Sequence, residues 1–319
     1  MWGMKKLINY HSTTFYMLQN NNLQNKLSPI ALFVYNRPEH TRKTVEALQQ
    51  NNLAKESELF VFSDCYRNEE EKEKVEEVRN YIKNISGFKN VIIIERKENF
   101  GLAKSIISGV TEMVNKYGKI IVLEDDLVTS PFFLEYMNEA LDLYEKENEI
   151  ISIHGYIYPV KKDLPETFFI KGADCWGWAT WKRGWDLFEP DGKKLLTELE
   201  KRNLTKEFDF DGTYNYSGML KKQIAGLTNS WAIRWYASAF LQNKLTLYPG
   251  KSLIQNIGQD ASGTHKGDSN IHQTFISDRK INVGKIEIVE NGEAKKIISQ
   301  YFKSIKPNLF KRVKLKIFG

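Results

Sequence analysis

The chain reads as an α/β protein built on a mainly parallel sheet flanked by helices, and three observations predict this. Short runs rich in Ile, Val, Leu and Phe recur at 29–35, 58–63, 91–95 and 119–123, as strands buried on both faces do. Between them lie stretches of helical length with amphipathic or strongly charged patterning. The connections are short, and strand–helix alternation of that kind implies right-handed crossovers and parallel pairing.

PIALFVY (29–35) is the first strand, and Pro38 opens a helix to about residue 50, since a proline in the first turn loses no needed N–H. ELFVFS (58–63) is the second strand and precedes a highly charged helix over about 68–84. VIIIE (91–95) is the third, followed by an amphipathic helix over about 102–117. The fourth strand, 119–123, runs into Glu124-Asp125-Asp126, and Pro131 begins a helix reaching about 144. Residues 151–158 read as a further strand. The texture then changes to DCWGWATWKRGWDLF (174–188), which holds Trp176, Trp178, Trp181 and Trp185. Trp231 and Trp235 form a second cluster in SWAIRW (230–235). A strand over 245–248 leads into SLIQNIGQDASGTH (252–265), whose Gly, Asn and Asp suit the rim of a site. Periodicity over 271–319 is weak and predicts no definite element.

Composition narrows the function classes. A chain of 319 residues with 41% hydrophobic and 27% charged content is an ordinary globular protein with room for a sizeable core. Only Cys65 and Cys175 are present, without a C-x-x-C, so neither a disulfide framework nor a zinc cluster is implied. Residues 1–28 lack the apolar centre of a signal peptide, and no run approaches the roughly 18–20 apolar residues of a membrane span. A cytoplasmic protein is expected. The net charge of +6 is uneven: Lys303, Lys306, Lys311, Arg312, Lys314 and Lys316 crowd the C-terminus, interleaved with apolar residues. Residues 303–319 are expected to touch an anionic membrane surface, each cation contributing about 1 kcal/mol there. A docked helix with solvated lysines is the competing reading, and Pro307 interrupts the pattern. No nucleic-acid-binding module accompanies the charge.

The acids at 124–126 are the strongest chemical signal. Ligands of open α/β sheets collect at the carboxyl ends of strands. Carboxylates crowded there repel unless a cation or hydrogen-bond donors offset them, and a hard divalent ion carrying a substrate's phosphates is the natural partner. The alternative is an acidic helix start, with Thr129 and Ser130 opening the next helix. No G-x-G-x-x-G follows the first strand, which argues against a dinucleotide fold. Gly250-Lys251-Ser252 resembles the end of a P-loop, but Leu245 stands where the first glycine belongs, so it reads as a turn.

FVYNRPEHTRKTVEAL (33–48), FSDCYRN (62–68), ENFGLAKSI (98–106), VLEDDLVTSPFFLEYMNEAL (122–141), CWGWATWKRGW (175–185), SWAIRW (230–235) and NIGQDASGTH (256–265) together resemble the GT-A glycosyltransferases. The likeness is to bacterial family-2-like sugar transferases and, more distantly, to the enzyme that adds the first branching N-acetylglucosamine to N-glycans. The resemblance covers about 29–265. It implies a Rossmann-like sheet with an acceptor-side α+β portion: an N-terminal extension (1–28), a nucleotide-sugar-binding half (29–150), an acceptor-side half of the same domain (151–270) and a C-terminal extension (271–319). It further implies transfer of a sugar from a nucleoside diphosphate to a hydroxyl, with inversion, on a glycan or lipid-linked saccharide in bacterial surface polysaccharide synthesis.

Residue by residue, the resemblance assigns Asp126 and His265 to an Mn²⁺ or Mg²⁺ ion. Glu124 and Asp125 fall to the ribose and the metal's surroundings, and Arg37 and Asp64 to the base or phosphates. Asp64 as a helix N-cap competes with that role. Lys104 is a candidate for reaching a phosphate, against the commoner reading of an exposed helical lysine. Trp176 and Trp178 would form a wall on which a sugar's C–H face stacks, although tryptophans in this segment equally suit a core. Relatives carry a catalytic aspartate just after the first tryptophan of W-x-x-x-W, where this chain has Ala232. Asp174, Asp209 and Asp211 are the remaining acids, and Asp211 before Gly212 suits a plain turn. A sugar nucleotidyltransferase and a non-catalytic binder of nucleotide sugar or glycan are the competing functions.

Overall fold

A computed structural model describes residues 27–260 and 270–306; His265, residues 1–26 and residues 307–319 lie outside the described residues. The sheet is eight-stranded, in the order β3-β2-β1-β4-β8-β6-β9-β7. Its first half is parallel throughout: β1 (Ile30–Val34) lies between β2 (Glu58–Ser63) and β4 (Lys119–Glu124), with β3 (Asn90–Glu95) outside β2. The register Leu32–Val61 and Leu32–Leu123 centres this half on wholly buried aliphatics.

The helices that return the chain are α1 (Pro38–Gln49), α2 (Glu69–Ile82), α3 (Gly101–Tyr117) and α4 (Phe133–Leu143). Two of their ends have a clear local cause. Asn68 caps α2 by accepting from the Glu71 amide, as short polar side chains do at helix starts. Gly118 closes α3 at φ +79°, a conformation that costs glycine nothing.

Side chains alternate across β1. Ile30, Leu32 and Val34 enter a core with α1, α2 and α4, whereas Ala31 and Phe33 face α3. On that second face Phe33 stacks on Phe62 at 4.9 Å between ring centres. Gly109 of α3 lets the helix sit close, since a Cβ there would lie 2.7 Å from the Phe33 ring.

The sheet continues through the expected strands at 151–158 and 245–248 and through two that periodicity does not predict, at 167–171 and 178–181. Strand β8 (Trp178–Trp181) pairs antiparallel with both β4 and β6 (Ile150–His154), so β4 and β6 point the same way. Strand β9 (Leu245–Pro249) is parallel to β6, and β7 (Thr167–Lys171) is the antiparallel edge. The tryptophan segment therefore contains a central strand followed by one short helical turn, Lys182–Trp185.

A third core joins β7 and β9 to α5 (Gly192–Lys201), α6 (Tyr216–Ile224), α7 (Trp231–Leu241) and α8 (Gly292–Ile305). The stretch that showed only weak periodicity holds α8, whose Ala294, Ile298 and Phe302 are buried at helical spacing. Ile281 belongs to the same core as β1.

Directly after the acids comes not a helix but β5 (Leu127–Thr129), paired antiparallel with β10 (Ile254–Asn256). Helix α4 starts at Phe133, beyond the reach of a helix-terminus effect on residues 124–126. The acidic-helix-start reading is thereby removed.

Candidate active site

The acids sit at the carboxyl edge shared by β1 and β4, where loops from both halves of the sheet meet. Glu124 ends β4 and is half-buried; Asp125 is buried and Asp126 half-buried. The Thr44 hydroxyl donates to the Asp125 carbonyl at 2.8 Å, and the Ile257 amide to the Asp126 carbonyl at 2.9 Å. The backbone of the triplet is thus pinned from α1 on one side and from the loop after β10 on the other.

Arg37, immediately before Pro38 of α1, reaches across the edge. Its Nη2 donates to Asp125 Oδ1 and, at 3.0 Å, to Asp126 Oδ2. Burial works against that guanidinium's charge, but the two carboxylates outweigh it and raise its pKa. Asp125 is pushed up to about 6 by burial despite Arg37's opposing pull. Glu124 is pushed up to about 8, by burial first and then by the charges of Asp126 and Asp125. One guanidinium does not balance three acids, and without a further cation Glu124 holds its proton at neutral pH.

Gly258, in the loop after β10, lies against this pair. A Cβ on it would fall 2.0 Å from Asp126 Oδ2 and 2.9 Å from Arg37 Nη1, so no side chain fits without displacing the acid. The described chain then reaches Asp260, whose Oδ2 is 3.1 Å from His40 Nε2.

The other predicted nucleotide contacts fall differently. Asp64 accepts from the Cys65, Phe100 and Gly101 amides at 2.9, 2.9 and 2.8 Å. It caps α3, the third helix, rather than the helix that directly follows it in sequence. Its carboxylate orients the 98–101 loop, the kind of capping role that competes with contact to the base or phosphates. Lys104 is exposed, 3.6 Å from Glu98 and over the Phe100 ring at 3.8 Å; it is the ordinary helical lysine of the competing reading.

The aromatic wall also needs correcting. Trp178 is 1% exposed and stacks in the core against Trp231 and Trp235 at 5.5 and 5.6 Å, with Trp185 at 5.8 Å. It is structural, because a residue on a central strand facing α3 and α7 has no route to solvent. Trp176 is half-buried and meets Tyr156 at 4.7 Å and His272 at 5.9 Å, edge to face. Its backbone N–H donates to His154 Nε2 at 3.1 Å. Burial drives His154 down to about 4, which keeps the ring neutral and able to accept.

Of the three acids left over, Asp209 accepts from the Ser217 amide and hydroxyl at 2.6 and 2.8 Å, fastening the start of α6. Asp211 sits at φ 56° in a turn, 3.6 Å from Lys295. Asp174 differs, with Tyr158 and Tyr248 donating to its Oδ2 at 3.0 and 2.9 Å.

Sequence reasoning missed most of this wall: His154, Tyr156, Tyr158, Tyr248, His272 and Tyr301. The alternation in IHGYIYP (153–159) carried part of the signal; the contributions of Tyr248, His272 and Tyr301 depend on tertiary packing alone.

The model of the family described as Glycosyl transferase family 2 matches residues 30–205, more than half of the chain. The chain belongs to glycosyl transferase family 2. Its mainly parallel sheet is the GT-A fold of that resemblance, and the matched span contains every residue above from Arg37 to Trp178. No curated protein matches. Solved structures with similarity include TarS of S. aureus, at 16% identity over 43% of this chain and 25% of that one, TM-score 0.28. The mannosyltransferase PcManGT from Pyrobaculum calidifontis shares 11% over 47% of this chain and 43% of that one, TM-score 0.28. Mouse xyloside xylosyltransferase 1 shares 14% over 42% and 54%, TM-score 0.29. The match thus spans only a quarter of TarS and less than half of PcManGT. Within this family-2 chain, the position after Trp231 is Ala232, in the first turn of α7, and its methyl group accepts no proton.

A divalent ion suits this donor set. Mg²⁺-type sites take one or two carboxylates and complete their shell with substrate phosphates and water, and Glu124 has neither ion pair nor hydrogen bond among the described residues. Among those residues no cluster of three or more His, Cys, Asp or Glu converges on one point; their share of such a shell would be Asp126 with Glu124.

Proposed function

We propose that this chain is a metal-dependent glycosyltransferase that moves a sugar from a nucleoside diphosphate to a hydroxyl of a saccharide, with inversion. The carrying observation is the triplet at the end of β4: three carboxylates on one edge with a single guanidinium between two of them. Such an imbalance is costly in a half-buried site and is relieved by a cation that arrives with its own phosphates.

Asp126 and Glu124, with His265 as the further ligand that the family resemblance assigns, would hold Mn²⁺ or Mg²⁺, which supplies charge neutralisation on the departing diphosphate. Arg37 keeps Asp125 and Asp126 aimed at one spot, and it offers the phosphates a second positive group at the same edge. Gly258 leaves the close approach that bulky diphosphate oxygens require. Trp176, backed by Tyr156 and His272, presents a flat face to a sugar ring's C–H groups. Holding both reactants here converts an encounter in solution into an aligned displacement.

The acceptor belongs to the same reading: a glycan or lipid-linked saccharide, in bacterial surface polysaccharide synthesis, with the basic 303–319 segment near the inner membrane face. Among the described residues no helix is long and apolar enough to cross a membrane. Membership in glycosyl transferase family 2 favours transfer over nucleotidyl exchange.

The experiment is incubation with radiolabelled UDP-glucose, UDP-galactose, UDP-N-acetylglucosamine and GDP-mannose in Mn²⁺, with methyl glycosides as acceptors. Release of free nucleoside diphosphate supports the proposal. Exchange of pyrophosphate would mark a nucleotidyltransferase, and binding without turnover a non-catalytic member; either result sinks it.

A further inference from the structure

Transfer to a hydroxyl needs a group that takes its proton, and that group must stand between the acids and the aromatic wall. The register of β4 with β8 runs Lys119–Trp181 to Val122–Trp178. Because the pairing is antiparallel, the acids that follow β4 and residues 174–176 that precede β8 leave the same end of the strand pair. Cys175, half-buried, separates Asp174 from Trp176 of the aromatic wall.

We infer that Asp174 is the proton acceptor of this site. The inference rests on the glycosyltransferase reading. Asp174 is half-buried, and both phenols that bind it, Tyr158 and Tyr248, donate to the same oxygen, Oδ2. No hydrogen bond reaches Oδ1 among the described residues, and no described lysine or arginine pairs with the carboxylate. A carboxylate fixed through one oxygen and open at the other is oriented without being neutralised. The competing groups are engaged elsewhere. Asp125 and Asp126 bind Arg37, Asp209 holds α6 and Asp211 lies in a turn beside Lys295. His154 spends Nε2 on the Trp176 amide. His272 remains as the rival; its Nδ1 is 2.9 Å from the Tyr301 hydroxyl.

The step balances as a single displacement. The acceptor's O–H proton moves to Asp174, and the freed oxygen pair forms the bond to the anomeric carbon. The bond from that carbon to the diphosphate oxygen breaks, its electron pair leaving with the diphosphate. Asp174 later returns the proton to solvent.

The test compares wild type, Asp174→Asn, Tyr248→Phe and His272→Gln in the full chain. It measures the Kd for UDP-N-acetylglucosamine or GDP-mannose in Mn²⁺, and kcat for transfer to methyl glycosides or water, with KM for the glycosides. Asp174→Asn is expected to lower kcat by roughly 10²–10⁴-fold, the usual worth of a general base, with donor Kd within about threefold of wild type. Tyr248→Phe, which keeps the carboxylate but frees one anchor, is expected to lower kcat by about tenfold and leave Kd alone, and it serves if the Asn variant fails to fold. His272→Gln, which loosens the backing of Trp176, is expected to act on acceptor KM and to lower kcat far less than Asp174→Asn. An Asp174→Asn enzyme within threefold of wild-type kcat overturns the inference, as does loss confined to His272→Gln. A wild type that binds no nucleotide sugar overturns the parent reading instead.

Discussion

At the scale of single residues, the chemistry depends on charges that burial makes expensive. Arg37 pairs with Asp125 and Asp126, and Glu124, crowded by both, keeps its proton at neutral pH until a further cation arrives. Replacing Arg37 with Gln is expected to weaken nucleoside diphosphate binding by roughly tenfold or more, since a charge-assisted bond at such a site contributes about 1.5–3 kcal/mol; calorimetric titration of UDP or GDP in Mn²⁺ measures it. His154 offers a stability test with a definite sign. Its folded pKa of about 4 lies below the ordinary value of 6.5, so the fold prefers the neutral ring. Stability attributable to it is complete above about pH 6.5 and drains away as pH falls toward 4, by on the order of 3 kcal/mol. Urea denaturation at pH 7 and at pH 4.5 should show that acid limb in wild type and a shallower one in His154→Gln. An identical limb in both would show that His154 is not the group responsible.

Among the elements, short apolar strands and their crossover helices were legible because burial on two faces leaves a continuous run and burial on one leaves a helical period. PIALFVY, ELFVFS and VIIIE each became a strand within a residue or so of the expected ends. Strand β8 was not legible: WATW lacks a long aliphatic run, and its tryptophans looked like a binding surface. Only the pairing with β4 and β6 reveals that Trp178 faces α3 and α7. Asp64 was half legible, as an acid suited to capping, but the helix it caps begins 37 residues later at Gly101, a distance no local pattern carries. The triplet was legible because three acids ending an aliphatic strand have few explanations; the tyrosines around Asp174 come from separate elements and were not. Helix–sheet contact makes its own prediction. In Gly109→Ala the added Cβ would meet the Phe33 ring at 2.7 Å, and Phe33 is locked by its stack on Phe62. A loss of about 1–3 kcal/mol in denaturant stability is expected from such overpacking, and an unchanged midpoint would show that α3 retreats freely.

At the scale of the whole molecule, the eight-stranded sheet serves two tasks. Its parallel half, β3-β2-β1-β4, delivers the acids, and its mixed half, β8-β6-β9-β7, delivers the aromatic wall, with the edge between β4 and β8 as their meeting line. Helix α8 returns from the C-terminal region to place Tyr301 beside His272, tying the last described helix to the rim. Gly258 is where the loop after β10 touches the acids, so Gly258→Ala is expected to disrupt donor binding far more than folding. A thermal melt unchanged within a few degrees alongside a diphosphate Kd raised at least tenfold is the expected pair of results. The most direct test of the central claim is calorimetric titration of nucleoside diphosphate, UDP and GDP in turn, into wild type and Asp126→Ala, each with Mn²⁺ and with EDTA. The account predicts binding that needs Mn²⁺ in wild type and is lost in a folded Asp126→Ala; equal affinity in EDTA, or in the variant, would contradict it.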